Sequence, residues 1–94
     1  MKVRLSDDAK ADLIDIFQYT LDKWGWRQAD VYIDNLYLTF DQLESGEAHV
    51  RPVFEAKGYL RIKVGSHFII FVANSYEYLV TRILHQSMDL VRHL

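Results

Sequence analysis

The fold of this chain is decided by residues 59–73, which read YLRIKVGSHFIIFVA. Apolar Leu60, Ile62 and Val64 alternate with other residues, and a period of two is typical of a strand that is buried on one face. Gly65-Ser66 follows with the composition of a tight hairpin turn. The next run, FIIFVA, is apolar on both faces. The stretch therefore predicts two antiparallel strands, of which the second lies in the centre of a sheet.

Two more strands complete the predicted sheet. Residues 78–85 form the last strand after a short polar turn, and residues 2–5 form a short first strand in which apolar and charged residues alternate. Residues 46–57 hold the only proline, Pro52, and are predicted to be a loop. The tail, residues 86–94, has no clear period, and a short terminal helix is one option there.

Two amphipathic helices are predicted between the first and second strands. The first begins after Ser6, a favoured N-cap, and ends at Gly25, which can adopt a left-handed conformation. The second runs from about Arg27 to Gly46. The short connection around Gly25 favours an antiparallel helical hairpin. Its second helix should face inward with Ala29, Tyr32, Ile33, Leu36, Tyr37, Phe40 and Leu43.

The element order β-α-α-β-β-β indicates an α+β fold with two layers. We expect one domain over residues 1–94, in which the helical hairpin packs on one face of a mainly antiparallel sheet. Thirteen Phe, Tyr and Trp residues supply the bulky apolar surface that a small domain needs for its core. The second face of the sheet is expected to stay open, because no further helix of comparable length is predicted.

Composition narrows the classes of function. Eleven Lys and Arg against thirteen Asp and Glu give a net charge of −2, which argues against strong direct binding of nucleic acid. The absence of cysteine excludes a disulfide scaffold and thiolate metal sites. The longest apolar run, residues 68–73, is far too short to span a membrane, and no signal peptide is recognisable. We therefore expect a cytoplasmic protein without a cofactor.

Charge is distributed unevenly along the chain. Residues 1–45 hold five bases and nine acids, a net of −4, whereas residues 46–94 hold six bases and four acids, a net of +2. Alternation places several basic residues and one tyrosine on the open face of the sheet, where they can form an electrostatic docking surface for an acidic partner. The alternative is that they are ordinary solvated strand residues. This set is Lys2, Arg4, Tyr59, Arg61 and Lys63, joined by Arg82 if it shares that face.

Several stretches together resemble the ParE branch of the RelE/ParE toxin superfamily. The opening LSDDAKADLIDI (residues 5–16) is similar to the start of that family, and GSHFIIF (residues 65–71) is similar to its strand hairpin. The most specific stretch is RILHQSMD (residues 82–89), which resembles the terminal pattern of the branch. The resemblance covers almost the whole chain. One departure is Leu60 where the family often has Arg, and Arg61, one residue later, faces the opposite side of a strand.

The resemblance implies a toxin of a type II toxin–antitoxin pair. Such a toxin is neutralised by a partly disordered ParD-like antitoxin in a hetero-oligomer, and ParE-like toxins act on DNA gyrase. RelE-like relatives instead cleave messenger RNA on the ribosome, and a third alternative is a relative that binds antitoxin without toxicity. By resemblance, His85, Met88 and Asp89 in the tail join Arg61, Lys63 and Arg82 as candidate partner-binding residues.

The nuclease alternative requires a base, an acid and cations that stabilise the phosphorane. The chain has no tyrosine beyond Tyr78, although RelE-like nucleases usually carry a terminal Tyr or a His/Tyr pair. The sequence therefore favours a toxin that binds its target and is not an enzyme. A metal site from His85, Asp89 and His93 needs a continuous helix directly after a strand, so none is expected.

Two features of the helices have simple structural interpretations. Trp24 and Trp26 flank a helix-ending glycine, so we expect one ring to cover the core and the other to be available as a recognition anchor. The carboxylates of the first helix are predicted to form a solvated face without a paired-carboxylate site. They are Asp7, Asp8, Asp12 and Asp15.

Overall fold

A computed structural model describes residues 1–94, and its elements confirm the predicted order. The prediction of a loop over residues 46–57 is wrong at Arg51 and Pro52, which pair with Arg61 and Leu60 as a very short edge strand. So short a strand leaves no periodicity in the sequence, and its proline is tolerated at an edge. The elements are β1 (Lys2–Leu5), α1 (Asp7–Trp24), α2 (Trp26–Ser45), β2 (Arg51–Pro52), β3 (Leu60–Val64), β4 (His67–Ala73), β5 (Glu77–His85) and α3 (Leu90–His93).

The strands form one sheet in the order β1-β5-β4-β3-β2. β1 is parallel to β5 and every other pair is antiparallel, so the predicted mainly antiparallel sheet is confirmed. The register of β4 and β5 shifts in the middle, where Ile70 pairs with Arg82 but Phe71 pairs with Val80. Thr81 is the extra residue of this β-bulge. Because of the bulge, Val80 and Ile83 both face the helices although they are three residues apart.

The helices begin and end where local chemistry favours it. The Ser6 hydroxyl accepts a hydrogen bond from the amide of Ala9 at 3.0 Å, which caps α1. Gly46 ends α2 in the left-handed region at φ +82°. One exception to the predicted stripe of α2 is Tyr37, which is 51% exposed because it lies at the margin of the apolar face. Both helices cover one face of the sheet, and the hydrophobic core lies between them. Its buried residues are Ala9, Leu13, Ile16, Leu36, Phe40, Leu43, Ile62, Ile69, Phe71, Val80 and Ile83.

The second sheet face is not open at its centre, which corrects the prediction. Ile70 and Leu84 are fully buried there, and Val53 from the β2–β3 connection packs on them. A run that is apolar on both faces needs a cover on both sides. The covering segments are aperiodic, so the sequence pattern did not reveal them. The partly buried residues around this second cluster are Ala56, Tyr59, Phe68, Leu90 and Leu94.

Helix carboxylates cap two strand amides at free edges of the sheet. β1 is too short to cover all of β5, and the amide of Ile83 donates instead to the Asp12 carboxylate of α1 at 2.8 Å. At the outer edge of β1, the amide of Val3 donates to the Glu44 carboxylate of α2 at 2.9 Å. These amides are therefore not available for pairing with another strand.

The β3–β4 turn is held against α2 by a close contact. Gly65 has φ +56°, and a Cβ built on it would lie 2.8 Å from the hydroxyl oxygen of Tyr32. That hydroxyl also accepts the amide hydrogen of Ser66 at 2.9 Å and lies 2.6 Å from Nδ1 of His67. Gly65 is therefore required both by its backbone conformation and by the space that Tyr32 occupies.

Gly65→Ala should destabilise the protein more than Gly46→Ala does. Gly46 also has a positive φ, +82°, but nothing lies within 4 Å of its Cβ position. We expect Gly46→Ala to lower the free energy of unfolding by about 1 kcal/mol through backbone strain alone. Gly65→Ala should cost about 2 kcal/mol more, because Tyr32 must leave its place. Urea unfolding of both variants tests this, and equal losses would contradict the close contact.

Candidate functional site

Arg82 joins three elements of the fold. Its Nε and Nη2 donate to the two carboxylate oxygens of Asp12 at 2.8 and 3.0 Å, and its Nη1 donates to the backbone carbonyl of His93 at 2.9 Å. The Arg82–Asp12 ion pair connects β5 to α1, and the hydrogen bond from Arg82 to the carbonyl of His93 connects β5 to α3. The hydrogen bonds to Asp12 also raise the pKa of Arg82, so its guanidinium stays charged.

Two predictions are corrected by this arrangement. Asp12, assigned to the solvated face of α1, has a side chain that is only 13% exposed and that accepts bonds from Arg82 and from the amide of Ile83. Arg82 was predicted to lie on the docking surface. Its guanidinium instead bonds Asp12 of α1 and the backbone carbonyl of His93. Its bidentate geometry makes it a structural tie between elements.

The other basic strand residues do not form one patch. Lys2 and Lys63 are exposed, but two strands lie between β1 and β3, so these two strands are about 14 Å apart at ordinary strand spacing. Arg4 is exposed and pairs with Glu77 at 2.6 Å. The guanidinium of Arg61 lies 4.8 Å from the ring centroid of Phe68. Because Val3, Leu5, Leu60 and Val64 pack toward the helices, these basic residues share the opposite face, as alternation predicts. They form two separate groups there, one on β1 and one on β3.

Tyr59 belongs to the cover of the second face. It is half-buried and packs against the cluster of Val53, Ile70 and Leu84. Its backbone carbonyl accepts the amide of Val53 at 3.0 Å, which closes the β2–β3 connection. Tyr59 therefore stabilises the fold in addition to any contact that it makes with a partner.

The predicted residues of the tail make local contacts. Nδ1 of His85 lies 2.7 Å from the hydroxyl of Ser87 and 3.1 Å from its amide, which fixes the turn after β5. Asp89 accepts the amide of Val91 at 3.2 Å as the N-cap of α3. Met88, between them, is 44% exposed, and Val91 of α3 is 48% exposed. No group of His, Cys, Asp and Glu side chains in the structure could hold a metal ion.

A cluster of Tyr32, His67 and His85 lies at the turn end of the sheet. The ring centroids of Tyr32 and His67 are 5.4 Å apart, and those of His67 and His85 are 5.2 Å apart. The pKa of His67 is lowered to about 4, chiefly because the ring is buried and secondly because His85 lies nearby. Burial likewise raises the pKa of Tyr32. His67 is therefore neutral near pH 7. Its pKa is far below the value near the working pH that an efficient general acid or base has.

Both tryptophans at the helix junction are exposed, which corrects the prediction that one covers the core. Trp24 and Trp26 are each 62% exposed, and Tyr19, one turn earlier, is 61% exposed. The buried residues near the junction in the sequence are Thr20 and Ala29. The aromatic composition of the junction was visible in the sequence, but helical spacing alone did not decide which rings face outward.

An apolar groove runs between the outer faces of α1 and α2. It has a volume of about 260 Å³, and Ile14 on its rim is 68% exposed. The groove was not predicted from the sequence, although the apolar Ile14 beside the α1 stripe was a signal for it. Its apolar lining is Leu13, Ile14, Phe17, Ile33 and Tyr37.

Two solved structures share this fold. A structure of the chromosomal ParDE toxin–antitoxin system from P. aeruginosa aligns with a TM-score of 0.78 at 19% identity, over 90% of this chain and 95% of that one. The RelB–RelE antitoxin–toxin complex from Methanococcus jannaschii aligns with a TM-score of 0.62 at 14% identity, over 96% and 98%. The architecture is therefore that of the ParE and RelE class of toxin folds.

Sequence comparison identifies the family within that class. Toxin ParE1 of Caulobacter vibrioides is 37% identical over 97% of this chain and 95% of its own length. Toxin ParE1 of Mycobacterium tuberculosis is 35% identical over 96% and 94%. Residues 3–90 match the family described as the ParE toxin of the type II toxin–antitoxin system parDE. The chain belongs to the ParE toxin family. None of its helices is long and apolar enough to cross a membrane.

Asp12→Ala should be strongly destabilising although Asp12 lies on a face that the sequence marks as solvated. The change leaves Arg82 and the amide of Ile83 without their partner, and we expect the free energy of unfolding to fall by about 3 kcal/mol. Asp15→Ala, one turn along the same helix and exposed, should change it by less than about 0.5 kcal/mol. Urea unfolding measures both, and similar values for the two variants would contradict the structural role of Asp12.

Proposed function

We propose that this ParE-family chain inhibits DNA gyrase in the cytoplasm by binding to it, without catalysing a reaction. Residues 1–94 would act as a single toxin domain. Two observations support the proposal. The chain belongs to the ParE family, and the side chains that RNA cleavage would need are already hydrogen-bonded to other groups of the protein. The guanidinium of Arg82 is bound to Asp12 and to the carbonyl of His93, so it is poorly placed to stabilise a phosphorane.

The histidines support the same proposal. His67 is neutral near pH 7 because burial lowers its pKa to about 4, and Nδ1 of His85 is occupied by Ser87. A nuclease centre needs an acid and a base with pKa values near the working pH, together with cations at the scissile phosphate. The exposed cations Lys2 and Lys63 lie on strands at different positions of the sheet.

We propose further that a partly disordered ParD-like antitoxin neutralises the toxin in a hetero-oligomer. The solved relatives come from a ParDE system and from a RelB–RelE complex. The apolar groove between α1 and α2 suits an amphipathic helix that folds as it binds. Strand addition is less favourable at the outer edges, because Glu44 occupies the amide of Val3 and β2 contains Pro52.

Several residues predicted from the sequence remain candidate contacts for partners. They include Arg61 and Lys63 on β3 and the exposed Met88 in the tail. Lys2 and Arg4 offer a smaller basic site beside β5. Their contribution should be electrostatic and should affect the association rate and its salt dependence most strongly.

The decisive assay compares two reactions of the purified protein. We expect it to inhibit DNA supercoiling by gyrase and to leave messenger RNA on translating ribosomes intact. Incubation with the antitoxin beforehand should remove the inhibition. Ribosome-dependent cleavage of the transcript with unaffected supercoiling would contradict the proposal and favour a RelE-type nuclease. No effect in either reaction would indicate an antitoxin-binding relative without toxicity.

Arg61→Ala and His85→Ala give a second readout in the same assay. If a residue only contributes contacts, its substitution by Ala should raise the inhibitory concentration by no more than about tenfold, which corresponds to about 1.4 kcal/mol. Loss of a general acid or base would instead lower a rate by about a hundredfold or more. A loss of that size in either variant would therefore contradict binding without chemistry.

A further inference from the structure

The junction of α1 and α2 carries an aromatic and basic surface, here called the hairpin tip. Its three rings are each about three-fifths exposed, at 61% for Tyr19 and 62% for Trp24 and Trp26. Lys23 and Arg27 lie among them and are exposed as well. So much aromatic surface within eight consecutive residues is unusual for a part of a protein that contacts nothing else.

The two cations of the hairpin tip are held over the rings. Nζ of Lys23 lies 5.6 Å from the ring centroid of Tyr19 and 5.9 Å from that of Trp24, and it also donates to the Tyr19 hydroxyl at 3.2 Å. The guanidinium of Arg27 lies 5.7 Å from the ring centroid of Trp26. These distances are within the range of cation–π attraction.

Neither cation forms an ion pair with a carboxylate of its own chain. The three ion pairs of the structure involve Arg4, Arg82 and Arg92. Lys23 and Arg27 therefore present positive charge on a prearranged aromatic support, and less side-chain entropy is lost when a partner binds to it.

Stability does not account for the hairpin tip. The rings of Tyr19, Trp24 and Trp26 are about three-fifths exposed, whereas the buried residues nearby in the sequence are Ala29 and Thr20. Trp, Tyr and Arg are the residue types that supply most binding energy at protein interfaces. An exposed cluster of these types is explained by a contact with another molecule.

We infer that the hairpin tip is the surface with which the toxin binds an acidic patch on its protein target. This inference rests on the proposed function, in which the target is DNA gyrase. The rings of Trp24 and Trp26 would be buried against apolar or aromatic groups of the target, and Lys23 and Arg27 would pair with carboxylates around them. Lys23 and Arg27 form no ion pair within the chain, so acidic groups on a protein surface are the partners that complement them.

A nucleic acid fits this surface less well. Asp22 and Asp30 lie on the same helical turns as the two cations, so the charge of residues 19–30 sums to zero. Binding to a phosphate backbone needs several uncompensated cations, whereas a protein contact with two ion pairs does not.

The hairpin tip does not overlap the apolar groove proposed for the antitoxin. The groove is lined by Leu13, Ile14, Phe17, Gln18, Ile33 and Tyr37, none of which belongs to the tip. Target binding and antitoxin binding can therefore be altered separately.

Trp24→Ala/Trp26→Ala tests the inference in the full chain. We expect the concentration that inhibits gyrase supercoiling by half to rise about thirtyfold, which is the size of a hot-spot loss. Affinity for the antitoxin should change by less than about threefold. Lys23→Ala/Arg27→Ala should weaken inhibition about tenfold and flatten its dependence on salt. Because all four side chains are exposed, the folded protein should keep its circular dichroism and unfolding midpoint.

Phe54→Ala and Tyr76→Ala are the matched controls. Their rings are 85% and 82% exposed but lie elsewhere on the molecule, and no cation–π contact involves them. Inhibition of gyrase should be unchanged in both. An equal loss in a control would overturn the inference, because it would indicate nonspecific apolar adhesion.

The remaining outcomes are also decisive. If wild-type protein inhibits gyrase and the tryptophan variant inhibits it equally, the hairpin-tip inference fails while the proposed function stands. If wild-type protein does not inhibit gyrase, both fail. Loss of antitoxin affinity with unchanged inhibition would assign the tip to the antitoxin. Binding of wild-type protein to a fluorescent single-stranded oligonucleotide, lost in the tryptophan variant, would assign it to nucleic acid.

Discussion

The carboxylate of Asp12 is the point on which the arrangement of this fold depends. It accepts two hydrogen bonds from Arg82 and one from the backbone amide of Ile83, all between 2.8 and 3.0 Å. α1 is thereby fixed along the edge of β5 that the short β1 leaves uncovered. The same guanidinium reaches the carbonyl of His93, so α3 is attached through the same group. Hydrogen bonds to charged groups contribute about 1.5–3 kcal/mol each, which makes this one residue important to a marginally stable small domain.

This constraint also limits where partners can bind. Asp12 and Glu44 occupy strand amides at the margins of the sheet, and a second apolar cluster covers the centre of the face opposite the helices. The helical hairpin presents two further exposed features, a groove along its length and an aromatic tip at its end. Under the two proposals above, the toxin contacts its target and its antitoxin with different residues.

The fold was predictable because its signals are local and dense. The alternation of β3, the doubly apolar β4, the Ser6 cap and the glycines at both helix ends each point to the same architecture, and the structure confirms them. Membership in the ParE family was equally visible in residues 82–89. Local patterns of this kind can be interpreted without knowing which residues pack against each strand.

The site was less predictable because it depends on contacts between distant residues. Asp12 and Arg82 are 70 residues apart, and helical spacing placed the carboxylate on a solvated face. The exposure of Trp24 depends on how the hairpin lies on the sheet. The cover of the second face comes from segments such as residues 53–59 that have no period. In each case tertiary packing decides what the local pattern leaves open.

The most direct test of this account is the exchange of single backbone amides, followed by NMR in wild-type protein and in Asp12→Asn. The amide of Ile69 in the central strand serves as the internal reference, because it reports global opening. We expect the exchange rate of the Ile83 amide relative to that of Ile69 to rise about tenfold in the variant, as loss of one charged hydrogen bond predicts. An unchanged ratio would show that Asp12 does not hold the edge of β5 and would contradict the account.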